Sequence, residues 1–273
     1  MKALAGSLTC LLTGVILALA ACGGGSEDSN ADNGTDSVVA EADSFIADAD
    51  SVCTDQAQKL TDTQTTISET PKEAAQLAED SVAIREDALQ QLQALDAPDD
   101  LADDYDEFLA KRQAVVEGQQ QDLKLTKQGI PPEDPRHLKI YEKFEQLFNE
   151  GRAIGQRIGF KACASQLPAD EADEARSLAV KALTEPVDSC EEVYSKYAIE
   201  TSFGSLQKCE QAQTPDPPVK SVDVQDVVGV SGVSAFVNAI PKGGPDDGAL
   251  IEYSFVHEGG SYKFNAAVRL PDE

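Results

Sequence analysis

Between about Ala40 and Ile158, apolar residues return every three or four positions. That is the period of a helix with one face in a core. Four segments carry it. The first aligns Phe45, Ile46, Ala49, Val52, Cys53, Gln56 and Leu60. The second opens at Thr70-Pro71-Lys72-Glu73, where the threonine can cap, the proline suits the first helical position and the glutamate completes a capping box. Its stripe is Ala74, Leu77, Ala78, Val82, Leu89, Leu92 and Leu95, and Pro98 ends it. The third carries Leu101, Tyr105, Phe108, Leu109, Val115, Val116 and Leu123, and stops near Gly129. The fourth opens at Asp134-Pro135 and carries Leu138, Tyr141, Phe144, Leu147, Phe148, Ile154 and Ile158. Short connections make neighbours antiparallel, so residues 40–167 are expected to form an up-down-up-down four-helix bundle.

After Leu167-Pro168 a second domain, 168–273, begins with another helical stretch, 169–185, with Leu178, Ala179, Ala182 and Leu183 on one face. Short helices are expected at 188–194 and from Phe203 to Cys209. From Val219 the period switches to two. Val222, Val224, Val228 and Val230 alternate, and Ser231-Gly232 can turn the chain before Val233, Ala235, Val237 and Ala239. A Gly/Pro/Asp loop spans 241–248. Ile251, Tyr253, Phe255 and His257 follow, then a turn at Gly259-Gly260, then Tyr262, Phe264, Ala266, Val268 and Leu270. Hairpin-length turns predict a four-stranded antiparallel meander, and helices followed by such a sheet make the class α+β.

Three stretches resemble known families. Cys190 with Tyr194, then Phe203-Gly204-Ser205 and Cys209, then Glu258-Gly259-Gly260-Ser261-Tyr262-Lys263 together resemble the nuclear-transport-factor-2-like (cystatin-like) domains attached to actinobacterial lipoproteins. That resemblance implies a curved sheet wrapped on a helix as a cone, often with an apolar pocket. The first half, with an early helical cysteine and a late Gly159-Phe160-Lys161-Ala162-Cys163, is similar to helical domains of the same kind of lipoprotein. At the chain start, Lys2 precedes an uncharged apolar run, Leu4 to Ala21, that ends in Leu19-Ala20-Ala21-Cys22. The layout is that of a secretory signal. The run is also nearly long enough to span a bilayer, but its end resembles the lipobox of bacterial lipoproteins. The resemblance implies removal of residues 1–21 and a diacylglyceryl group on the Cys22 thiol. The protein would then sit on the extracytoplasmic face of the cell membrane. Residues 22–39, rich in Gly, Ser, Asp and Asn, read as a flexible tether.

Beyond Cys10 and Cys22, four cysteines remain: Cys53, Cys163, Cys190 and Cys209. In an exported chain they read as disulfides, and four cysteines allow three connectivities. The bundle topology selects one. The start of helix 1 and the end of helix 4 share an end, so Cys53 is expected to meet Cys163, and Cys190 to pair with Cys209. No CxxC spacing is present and there are two histidines, so no zinc site is expected.

The formal net charge of −27 repels nucleic acid and anionic lipid surfaces. No phosphate loop, GxSxG or HExxH occurs, and neither catalytic residues nor cofactors are expected. The candidate ligand-binding residues are Tyr253, Phe255, His257, Tyr262 and Phe264, the aromatic face of the last two strands. His257 reads as a solvated edge residue beside a turn, with a pocket base as the alternative. His137, in a first helical turn beside Arg136, reads as surface. Gly151, Gly155 and Gly159 predict close approach of helices inside the bundle, with a dimer groove as the alternative. The expected function is non-enzymatic binding or scaffolding in the cell envelope, towards a small apolar ligand or an envelope protein. The alternative is a hydrolase or isomerase working inside the cone.

Overall fold

The structure, a computed structural model, describes residues 35–67, 70–131, 134–212 and 219–270. The expected signal segment, Cys22 and most of the tether fall outside them. The class is α+β: eight helices and one four-stranded antiparallel sheet among the described residues.

Four long helices come first: α1 (Thr35–Gln64), α2 (Pro71–Gln93), α3 (Ala102–Lys127) and α4 (Pro135–Ile158). Each packs against the next. The caps are those the sequence announces. Thr70 accepts from the Glu73 amide at 3.2 Å while Glu73 accepts from the Thr70 amide at 3.0 Å. Asp134 accepts from the Arg136 amide ahead of Pro135. Helix α1 starts at Thr35, earlier than the expected Ala40. No strong breaker interrupts 35–40, so the helix runs back beyond its packed part, and Val39 is 56 % exposed.

The interior of this half is aromatic at one end. Phe45, Tyr105, Phe108 and Phe160 form a contiguous cluster, with Phe45 edge-on to Tyr105 at 4.8 Å and Phe108 to Phe160 at 5.3 Å. The Tyr105 hydroxyl donates to the Leu92 carbonyl at 2.6 Å. Burial of each such ring contributes roughly 1.5–3 kcal/mol. Phe160 reaches the cluster because Gly159 ends α4 in the left-handed conformation, φ 99°. The turn after it folds back on α1. Both oxygens of buried Asp50 accept backbone amides, from Lys161 at 2.9 Å and Cys163 at 2.8 Å. Cys163 bonds to Cys53, closing 110 residues. The three glycines of α4 have separate duties. A Cβ on Gly151 would approach Lys111 of α3 at 3.6 Å, and one on Gly155 would press on Ala164 at 3.2 Å. Gly159 is the cap.

Helix α5 (Ala169–Thr184), α6 (Cys190–Val193), α7 (Lys196–Ala198, continued by a wide turn through Phe203) and α8 (Leu206–Ala212) lead into the sheet. Strands β1 (Ser221–Val230), β2 (Ser234–Lys242), β3 (Ile251–Glu258) and β4 (Ser261–Arg269) lie in sequence order. Two bulges break the expected alternation. One falls between Val224 and Asp226, the other opposite Ser254/Phe255, at Asn265. After the second bulge Ala267 and Arg269, not Ala266 and Val268, share the face of Tyr262 and Phe264. The bulge has a local partner: Ser195 donates its hydroxyl to Asn265 Oδ1 at 2.8 Å and its amide to the Phe264 carbonyl at 2.8 Å. The sheet's Ala235, Val237, Tyr253 and Phe255 face α5, which buries Ala175 and Ala179 against them.

The opposite face looks towards α4. Arg152 bridges to Asp226 at 2.9 Å. Glu252 feels the charge of Glu145, and burial with that repulsion pushes its carboxyl up to about 7. The β1–β2 turn inserts Val230 and Val233 into the helical core. It is tied to α5 by Glu171, which accepts from the Ser231 hydroxyl, the Gly232 amide at 3.0 Å and the Tyr262 hydroxyl at 2.5 Å. A Cβ at Gly229 would lie 2.3 Å from the Ser234 carbonyl oxygen, so only glycine fits beside that turn.

Candidate functional site

Helix α5 ends before Pro186, and the chain then doubles back through α6 and α8 below the sheet. These short helices have few side chains to pack. The Cys190–Cys209 bond, across 19 residues, joins them instead. Between this bridged pair, the end of α5 and strands β2 to β4 lies a cavity of about 390 Å³. Ligand pockets usually begin near 300 Å³. Its floor is Ile251, Tyr253, Phe264 and Ala267, its far wall Leu183, Val187, Tyr194 and Phe203, and the disulfide forms one side. Among its aromatic rings, Tyr194 meets Phe203 at 5.7 Å and Phe264 at 5.6 Å, both edge-on.

Two carboxylates, Glu185 and Asp246, are part of the lining, together with the phenols of Tyr194 and Tyr253. Burial raises both phenols, and Tyr253, with Asp246 nearby, is pushed up to about 12. Both stay protonated at neutral pH and can donate hydrogen bonds. Among the described residues, no histidine, serine or lysine lines the cavity. The groups present suit holding an apolar body and a hydrogen-bonding or cationic end.

Of the five candidate binding residues, the structure brings Tyr253 and Phe264 to the cavity. Phe255 lies fully buried under α5. Tyr262 is buried at the other end of the sheet, held by Glu171, with its phenol far above the ordinary range through burial and that carboxylate. His257 is exposed, edge-on to Tyr262 at 5.4 Å. The bulge at Asn265 decides the outcome on β4, because it substitutes Ala267 for Ala266 in the wall. Leu183 comes from the expected apolar face of α5, whereas Tyr194 and Phe203 come from segments with no regular period. The cysteine spacing is their one signal in the chain.

His137 is a correction. It is 1 % exposed, not surface, and its Nδ1 lies 2.5 Å from Asp122 Oδ1. The α4 stripe runs through His137, Phe144, Gly151, Ile154 and Ile158, one residue off the expected start at Leu138, which is 45 % exposed. No group of metal-ligating side chains occurs among the described residues. No helix among them is long and apolar enough to cross a membrane. Comparison with known proteins adds no relative: no protein-family model, no curated protein and no solved structure matches the chain.

Proposed function

We propose that the protein is a cell-envelope lipoprotein that binds a small apolar molecule in the cavity beneath β2 to β4. In this reading Cys22 carries the lipid anchor, residues 22–34 give reach, and the helical half is a four-helix bundle that serves as the rigid body. The sheet with α5 to α8 is the binding module, a cone of the nuclear-transport-factor-2-like kind. The observation that carries the reading is the cavity itself: an aromatic and aliphatic lining, two protonated phenols and two carboxylates. Glu185 and Asp246 disfavour an anionic guest such as a fatty acid and favour one whose polar end is neutral or cationic.

Native mass spectrometry of protein extracted from its host membrane tests this. The expected result is a diacylated chain with a retained apolar guest. Cys22→Ser should abolish both the acyl mass and membrane retention. A Cys22→Ser variant that is still cleaved and retained contradicts the anchor. An empty chain that also takes up no apolar probe contradicts the binding role.

A further inference from the structure

The interior of the helical half holds polar groups without partners. Arg85 occupies a core position of α2, in the 4-3-4-3 series Ala78, Val82, Arg85, Leu89, Leu92. It is 6 % exposed. Its Nη1 donates to the carbonyl of Ser81, one turn back, and its Nη2 has no partner. Among the described residues no carboxylate pairs with it, in a chain with 49 acidic residues. The two interior carboxylates are engaged elsewhere, Asp50 by the amides after α4 and Asp122 by His137. A second guanidinium, Arg112 of α3, adds positive potential. It stacks over Phe108 at 5.1 Å and donates to Gln56 and the Cys163 carbonyl. Burial and Arg112 bring Arg85 down to about 10, which leaves it charged at neutral pH. An interior cation with an unused donor and no counter-charge is among the costliest groups a fold can carry.

Two more unused groups sit on the last turns of α1. Thr61 Oγ1 and Gln64 Nε2 are buried and unpartnered. The Lys59–Asp87 contact, 3.8 Å across α1 and α2, joins residues two positions from Thr61 and two from Arg85. Helical side chains lean towards their own N-terminus, which carries the Arg85 head further towards Gln64. A guanidinium, a hydroxyl and an amide NH₂ are the donor set of an anion. We propose that a small inorganic anion of halide size binds inside the helical half, held by Arg85 Nη2 with Thr61 Oγ and Gln64 Nε2. The anion is a buried counter-ion, and it makes the stability of this half depend on the anion supplied.

Thermal unfolding of the full chain, in sodium chloride against sodium gluconate at matched ionic strength, tests the site. The melting temperature should rise by about 3–5 °C for each tenfold increase in chloride above its dissociation constant. Gluconate, too bulky for a packed interior, should give no such rise. Arg85→Met should abolish the difference between the salts. If that variant fails to fold, Thr61→Val should fold and weaken the chloride response. Equal melting temperatures in the two salts overturn the proposal, as does a chloride response that survives unchanged in either variant.

Discussion

In the helical half, polar groups are drawn into the interior and the walls close around them: Asp50 takes two amides, Asp122 takes His137, and Arg85 stands among the leucines of its stripe. In the sheet half the arrangement is reversed. Alanine, valine and aromatic rings line the inner face, and the space between the sheet and the bridged helices stays partly empty. The first arrangement specifies a closed body, because each buried polar group tolerates few neighbours. The second leaves apolar surface that a guest can cover. Two disulfides mark the contrast. Cys53–Cys163 lies inside the closed half and ties its two ends. Cys190–Cys209 lines the hollow and holds its wall.

The largest effect should come from the first bridge. Cys53→Ala and Cys163→Ala should each destabilise the protein by about 4–5 kcal/mol on the chain-entropy model, and the double variant by no more than either. Denaturant melts of the three variants check this. Unequal single-variant losses would mean that one cysteine matters for something besides the bridge.

The second bridge closes a shorter loop, so Cys190→Ala/Cys209→Ala should cost about 3 kcal/mol. The loss should also be local. Hydrogen exchange should speed up over 187–212 while Tyr262 to Leu270 stays protected. If the β4 amides exchange equally fast, the bridge belongs to the core and the two halves differ less than the comparison holds.

The same bridges show how much of the fold is legible in the amino-acid sequence. Their pairing follows from helix order alone, and the helix order follows from Thr70-Pro71 and Asp134-Pro135, caps that act within one turn. What the sequence hides has a common cause. A pattern of apolar residues passes over polar ones that occupy core positions. Arg85, Gln119 and His137 therefore escape it, although the seven-residue gap between Val82 and Leu89 is plain. Bulges are equally silent: one extra residue at Asn265 exchanges the two faces of β4, and hydrophobic alternation alone does not locate it. The cavity depends on segments from α5, α6, α8 and three strands, with the turn at Phe203, and has no local signature.

A smaller effect separates the two faces of the sheet. Glu252, on the face towards α4, sits at about 7 against 4.5 for a free glutamate. A carboxyl raised by folding contributes stability that is complete below the unfolded value and is lost as pH rises through the folded one. Stability should therefore fall between about pH 4.5 and 7 from this group. Glu252→Gln should remove that fall, raising the melting temperature at pH 8 and leaving it unchanged at pH 4. Parallel pH profiles for variant and wild type would show that the carboxyl is not desolvated there.

In the proposed function the hollow under β2 to β4 takes an apolar guest. The most direct test is a titration with N-phenyl-1-naphthylamine, a neutral apolar fluorophore, against the wild type and Ala267→Phe. Ala267 is an exposed strand position on the cavity floor, where a ring fits the backbone and fills the space. The wild type should show saturable one-to-one binding, and Ala267→Phe binding weakened by about tenfold or more, a difference of roughly 1.4 kcal/mol, with the melting temperature preserved. Equal binding by both proteins, or none by the wild type, would contradict the proposed function.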